Sequence, residues 1–258
     1  MSMLKNSMLY TVLVLLVSIA FLSFRSNTLK AEKWEEVADN GFAVLELFTS
    51  EGCSSCPAAD ALLERIQKEA GNRPVYVLAY HVDYWNRLGW KDVFSDAKYS
   101  ERQYQYSRFF KGQIYTPQVV INGRSECIGS DEVAVSKGIA QGLSSVPAAG
   151  LRIEARQEAG SIALDYQVTG NTRNNQLLIA VVQKHAISKV KRGENEGRTL
   201  SHAQIVRKLY VFDLKKGEKG KEQISVPKDF NAQEWEIVGM VQDPENGVIA
   251  AAARSSVL

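Results

Sequence analysis

Between residues 42 and 70 the chain changes its hydrophobic period, and two cysteines stand at the change. Phe42–Phe48, FAVLELF, is an apolar run broken by Glu46, the pattern of a strand buried on both faces. From Pro57 to Ala70, helix formers place Ala59, Leu62, Leu63, Ile66 and Ala70 on one side, and Gly71 follows the last turn as a C-cap. Cys53 and Cys56 fall in the short connection, EGCSSCP. A strand feeding a helix delivers both thiols to the edge of an open sheet where ligands collect, beyond the carboxyl ends of parallel strands.

The pattern then repeats. Pro74–Tyr80 reads as a second buried strand, and Ser95–Phe110 as a helix with Ser95 as N-cap and a stripe of Tyr99, Tyr106 and Phe110. That stripe is the spacing of core packing, not of a cofactor box. Thr116–Ile121 and Arg124–Ile128 are strand-like runs joined by Asn122-Gly123, a hairpin signal because both residues tolerate positive φ. Ser130 and Asp131 open a third helix that ends near Leu143. The order is βαβαββα, with a parallel core and an antiparallel pair at its end.

After Pro147–Gly150 the character changes. Leu151–Glu154, Ile162–Val168, Leu177–Gln183, Val206–Leu214, Ile224–Val226, Glu236–Val241 and Val248–Ala252 read as short strands, with no long amphipathic helix among them. The expectation is an α/β domain over residues 34–148 followed by a small β-sandwich-like domain over 149–258.

Residues 1–33 read as an address. Lys5 precedes an uncharged apolar run from Met8 to Phe24, which suits the core of an export signal or a short membrane anchor. The remainder is then expected outside the cytoplasm, in an oxidising compartment, anchored by residues 8–24 if they are retained.

Composition narrows the function. With 45% hydrophobic and 23% charged residues the chain is not disordered, and a net charge of +2 gives no reason to expect nucleic acid or an anionic membrane surface as partner. Three cysteines cannot staple a small disulfide scaffold. Cys53 at a helix N-terminus meets the positive end of the helix dipole, which favours its thiolate. Cys56, one helical turn on, is placed to resolve a mixed disulfide. A metal half-site and an inert pair are the competing readings, but no second Cys-x-x-Cys and no His-x₃₋₅-His accompanies the first. Cys127 reads as a free thiol in the hairpin. No dinucleotide fingerprint, nucleophile elbow or His-Glu-x-x-His is present, so no cofactor is expected beyond a redox-active Cys53–Cys56 disulfide.

ELFTSEGCSSCP, HVDYW, YTPQVVING and GSD, with GENEGRTLSH and VGMVQD further on, resemble the DUF1223 family of exported bacterial thioredoxin-like proteins of unknown function. The resemblance implies a thioredoxin-like fold. It also implies that Pro117 is cis and that the Thr116 backbone pairs with a bound substrate chain. The thioredoxin pattern has a buried carboxylate serving the deeper cysteine. Glu46 is the candidate here, although its offset from Cys53 is one residue longer, and such a slip reverses the face of a strand. A carboxylate paired with an arginine at the domain interface is the other reading. His81, Asp83, Tyr84 and Trp85 follow the second strand and are candidates for lining a peptide site. Arg198 and His202, in Gly193–His202, can bind an anion or bond across the interface. The functional expectation is thiol–disulfide exchange with protein thiols or disulfides of the cell envelope. Soft-metal (copper) handling by the cysteines with His81 or Cys127, or a non-catalytic envelope interaction module, are the alternatives.

Overall fold

The computed structural model describes residues 41–255 except 159, 171, 173 and 215–218, so the expected export segment and anchor lie outside the described residues. Its first strand, β1 (Ala43–Thr49), is buried along its whole length. It pairs in parallel with β2 (Val75–His81) and antiparallel with β3 (Gln118–Ile121). Between β1 and β2 runs α1 (Cys56–Ala70), whose buried face is Ala59, Leu62, Leu63, Ile66 and Ala70 plus the polar Asp60. Gly71 ends it at φ 57°, a conformation that costs glycine least.

The second helix, α2 (Ala97–Phe110), starts one residue later than the pattern suggested. Asp96, not Ser95, is the N-cap, accepting a hydrogen bond from the Lys98 amide. β3 turns into β4 (Ser125–Ile128) through Asn122 and Gly123, at φ 50° and 64°. A side chain at Gly123 would lie 1.8 Å from the Gly247 carbonyl oxygen, so that turn also docks against the C-terminal strands. Asp131 caps α3 (Glu132–Ser144) by accepting from the Ala134 amide. The element order up to this point is the one read from the sequence.

All seven later strands are present, and each is longer than its pattern. They are β5 (Ala149–Glu158), β6 (Ser161–Gly170), β7 (Gln176–Lys189), β8 (Thr199–Asp213), β9 (Lys219–Ser225), β10 (Trp235–Gln242) and β11 (Ile249–Ser255). Their arrangement corrects the expected division at 148/149. One eight-stranded sheet runs β11-β10-β7-β8-β2-β1-β3-β4, so four C-terminal strands extend the sheet begun by β1 and β2. β8 joins β2 in parallel, with Ala79 opposite Ile205. Only β5, β6 and β9 form a separate sheet. The described residues fall in one compact unit, a mixed α/β sheet domain with three helices and a second sheet.

Period-two alternation explains the layers. On one face of the large sheet, Val44, Phe48, Leu78, Tyr80, Leu178, Ala180, Val206, Val238 and Met240 share a core with Tyr99 and Tyr106 of α2. On the other, Leu45, Leu47, Val77 and Val119 pack under α1 and α3. Leu177, Ile179, Val181 and Ile237 pack under Ile153, Ile162, Leu164 and Ile224 of the three-stranded sheet. The sandwich expected from the C-terminal strands is therefore local, and one of its layers is the shared sheet.

Candidate functional site

Cys53 and Cys56 sit where β1 gives way to α1. The loop is a pair of tight turns, with the Cys53 amide donating to the Ser50 carbonyl at 3.2 Å and the Cys56 amide to the Cys53 carbonyl at 3.3 Å. Both cysteines are buried free thiols, while Ser54 and Ser55 are exposed. Ser55 Oγ lies 3.3 Å from Cys53 Sγ, and the Thr116 carbonyl oxygen lies 3.8 Å from it. The Thr116–Pro117 peptide is cis. Trp85 Nε1 donates to Thr116 Oγ1 at 2.9 Å, which ties the loop after β2 to this position.

The two thiols face opposite environments. A hydrogen bond from the Cys56 thiol, helped by Ser55 and Thr116 and opposed by burial, lowers the Cys53 pKa to about 6. Burial first, and then the neighbouring Cys53 sulfur and the Asp60 carboxyl, push the Cys56 thiol far above the usual range. One sulfur is held ready as a thiolate and the other is kept protonated.

Behind Cys56 lies a buried polar cluster. Asp60, one turn further along α1, accepts a hydrogen bond from Thr49 Oγ1 at 3.2 Å. Burial raises its pKa to about 6, and His202 and His81 oppose the rise. His81 Nδ1 is 2.7 Å from Asp92 Oδ2. Burial works against the charged ring, but Asp92 with Asp60 and Glu51 raises the His81 pKa overall. The His81 and His202 rings meet edge to face with centroids 4.9 Å apart. His202 Nε2 is 3.4 Å from Glu51 Oε1, and Trp90 Nε1 donates to Glu51 Oε2 at 2.6 Å. Among the described residues, the buried His81 Nε2 and His202 Nδ1 have no hydrogen-bond partner.

The C-terminal strands complete this enclosure. Asn195, fully buried in the loop between β7 and β8, donates through Nδ2 to the carbonyls of Glu51 at 2.9 Å and Cys53 at 2.8 Å. Arg198 holds Asn195 in place at 2.7 Å, and Glu194 accepts from the Ser54 amide at 3.0 Å. Gly193–His202 is thus a hydrogen-bonding loop across the two halves of the chain, the second of the two readings of its motif. Arg198 is engaged with Asn195 there.

Several expected site residues are placed elsewhere. Glu46 does not serve Cys56. It points to the opposite face of β1, where its carboxylate pairs with Arg102 Nε at 2.7 Å and accepts from the Tyr106 hydroxyl. Arg102 and Tyr106 in turn bond Gln242 of β10, so this is the interface carboxylate–arginine pair. The reversal follows from strand alternation, since Thr49, an odd number of residues on from Glu46, faces α1. His81 is fully buried, with its ring on Asp92. Asp83 accepts from Ser100 Oγ at 2.5 Å, tying the loop to α2. Tyr84 is partly buried with its hydroxyl on Gln103, and Trp85 is the member of this group that reaches the Thr116–Pro117 position. Cys127 is half-buried in β4, and burial with Asp131 and Glu126 pushes its thiol up to about 11. Among the described residues, no three His, Cys, Asp or Glu side chains are arranged to hold a metal ion.

Asp60, Asp92, Glu51, Asn195 and Thr49 were not legible as site residues. Asp60 had a signal, an acidic residue at the i+4 position from Cys56 among the apolar positions of a helix. The others come together only through tertiary contacts.

The model of the DUF1223 family, described as a protein of unknown function, matches residues 44–242. The chain belongs to that family. No curated protein matches it. A crystal structure of a protein from Agrobacterium tumefaciens is similar at 25% identity with a TM-score of 0.60, over 82% of this chain and 92% of that one. A domain of the outer membrane lipoprotein Omp28 from Porphyromonas gingivalis is 14% identical over 44% of this chain and 90% of its own, at a TM-score of 0.26. Dimeric latent PorU from the same organism is 13% identical over 53% of this chain and 17% of its own, at 0.29.

Proposed function

We propose that this DUF1223 protein is a thioredoxin-like thiol–disulfide oxidoreductase, acting outside the cytoplasm on protein thiols or disulfides. The observation that carries the reading is the asymmetry of the pair. Cys53 is favoured as a thiolate at the start of α1, and Cys56 is a buried, protonated thiol one turn deeper. That is the division of labour exchange requires, one sulfur to attack or be attacked and one to resolve. The Thr116 carbonyl beside Cys53 Sγ supports a second part of the reading. A partner strand that pairs with the Thr116 backbone would lie beside Cys53 Sγ, which is 3.8 Å from the Thr116 carbonyl oxygen.

The test is the equilibrium reduction potential of the Cys53–Cys56 pair in the purified chain carrying Cys127→Ala. A reversible value between about −270 and −120 mV, with Cys53 trapped by alkylation at neutral pH, is the expected result. A value below about −300 mV, or a pair that never exchanges while folded, would make the cysteines a structural bridge and end the enzyme reading.

A further inference from the structure

The Cys53 carbonyl closes the turn between the two cysteines, accepting from the Cys56 amide at 3.3 Å. The same oxygen accepts from Asn195 Nδ2 at 2.8 Å, and that nitrogen also donates to the Glu51 carbonyl at 2.9 Å. Asn195 Oδ1 accepts from the Arg198 guanidinium at 2.7 Å. The amide therefore has one orientation, because reversing it would set its oxygen against two carbonyl oxygens. Asn195 is fully buried and stands on a loop closed by its own backbone, with Val190 N donating to Arg198 O at 3.0 Å and Gly197 N to Val190 O at 2.9 Å. Beside it, Glu194 accepts from the Ser54 amide at 3.0 Å. From the other side, Asp92 Oδ2 accepts from the Glu51 amide at 2.9 Å. Ser50 accepts from the Gly52 amide through Oγ at 3.1 Å and from the Cys53 amide through its carbonyl at 3.2 Å. The backbone from Glu51 to Ser54 is thus held while both cysteines are free thiols.

We infer that Asn195, oriented by Arg198, is a positioning residue that favours the Cys53–Cys56 disulfide over the dithiol, an inference that rests on the thiol-exchange reading above. Closing the pair is an intramolecular step, and its equilibrium constant reflects how much freedom the loop gives up. A loop that is free in the dithiol form loses that freedom when the sulfurs join. A loop already fixed at the Glu51 and Cys53 carbonyls has little left to lose. Removing Asn195 then loosens the open form more than the closed one, which the new bond still restrains. The dithiol gains, and the reduction potential of the pair rises.

Asn195 acts here through the turn and not on a sulfur. Its support, Arg198, is exposed, so the orientation of a buried amide depends on a side chain at the surface. The equilibrium that reports on it is exchange with glutathione. The Cys53 thiolate attacks glutathione disulfide, and one glutathione leaves as a thiolate. Cys56 then gives up its proton and attacks Cys53 Sγ, the mixed disulfide breaks, and the second glutathione leaves with the electron pair and takes up a proton. The protein loses two electrons and two protons, and one glutathione disulfide becomes two thiols.

The experiment equilibrates the purified chain, Cys127→Ala, with mixtures of reduced and oxidised glutathione at neutral pH and reads the closed fraction by alkylation and mass. Asn195→Ala is expected to lower the closing equilibrium constant about tenfold, a rise of about 30 mV in potential. Asn195→Asp should lower it at least as far, because a carboxylate oxygen would then face a carbonyl that it cannot bond. Arg198→Met is expected to lower it about threefold. Arg198→Lys keeps a donor for the single bond to Asn195 Oδ1 and should return it to within about twofold of the parent. Leu164→Ala, in the core under the three-stranded sheet, weakens the fold far from the loop and should leave the potential where it is. An Asn195→Ala chain with the parent's potential or a lower one would overturn the inference, and so would an equal shift from Leu164→Ala. If Asn195→Ala does not fold, an Arg198→Met chain at the parent's value would overturn it. A parent pair that never equilibrates with glutathione would instead end the exchange reading, and the inference with it.

Discussion

Cys53 owes its low pKa first to the Cys56 thiol and then to Ser55, so its reactivity is open to a graded test. Alkylation of the reduced chain with iodoacetamide should modify Cys53 with a half-maximal rate near pH 6 and spare Cys56 while the fold is intact. Ser55→Ala should move that midpoint up, and an unchanged midpoint would show that Ser55 Oγ does not serve the sulfur. Asp60 gives a second prediction, of stability. Its folded-state pKa lies above the ordinary carboxylate value, so folding favours the protonated acid. The penalty is absent at low pH, where the acid is neutral in both states, and grows as pH rises from about 4 to about 6. Asp60→Asn, neutral throughout, should therefore gain on the parent chain across that window by up to about 3 kcal/mol. Urea melts at pH 4 and pH 7 check it, and a difference that stays constant with pH refutes it.

One step up, β1 is the element on which two unrelated polar systems are hung. Its α1 face carries Thr49, and its α2 face carries Glu46 with Arg102 and Tyr106. Removing one partner of a buried ion pair strands the other charge, so Arg102→Met should cost about 3–5 kcal/mol. Arg102→Met with Glu46→Gln should recover part of that loss, and both readings come from urea midpoints. Equal destabilisation in the single and double variants would mean that Arg102 acts through packing alone.

The same elements show how far the sequence could be read. β1, α1, β2 and the Asn122-Gly123 hairpin were legible because period, caps and turn residues are local signals. The face of Glu46 was ambiguous because a loop between strand and helix hides the register, and one residue decides the side. Arg102 and Gln103 sit buried in a helix stripe read as aromatic, since nothing local announces that a charged residue has a partner on another strand. Strands β7 and β8 were visible as strands, but no pattern within them says which sheet they join.

Across the whole molecule, the shared sheet makes a firm claim about cooperativity. Leu178, Ala180, Val206, Val238 and Met240 share a core with Phe48, Tyr80 and Tyr99, so neither half owns its hydrophobic centre. A chain ending at residue 147 would leave β2 with an open edge and that core without its far wall. It should fail to give a cooperative melt, whereas the chain through residue 258 should unfold in one transition by both circular dichroism and tryptophan fluorescence. A sharp melt from the shorter chain would restore the two-domain division.

Asn195 grips the carbonyls of Glu51 and Cys53 from 142 positions downstream of Cys53. During synthesis, then, the thiols emerge long before the side chain that encloses them. The cysteine loop gains its clamp only when the segment carrying Asn195 docks, so a chain that stops before Asn195 has both cysteines without the side chain that holds their backbone.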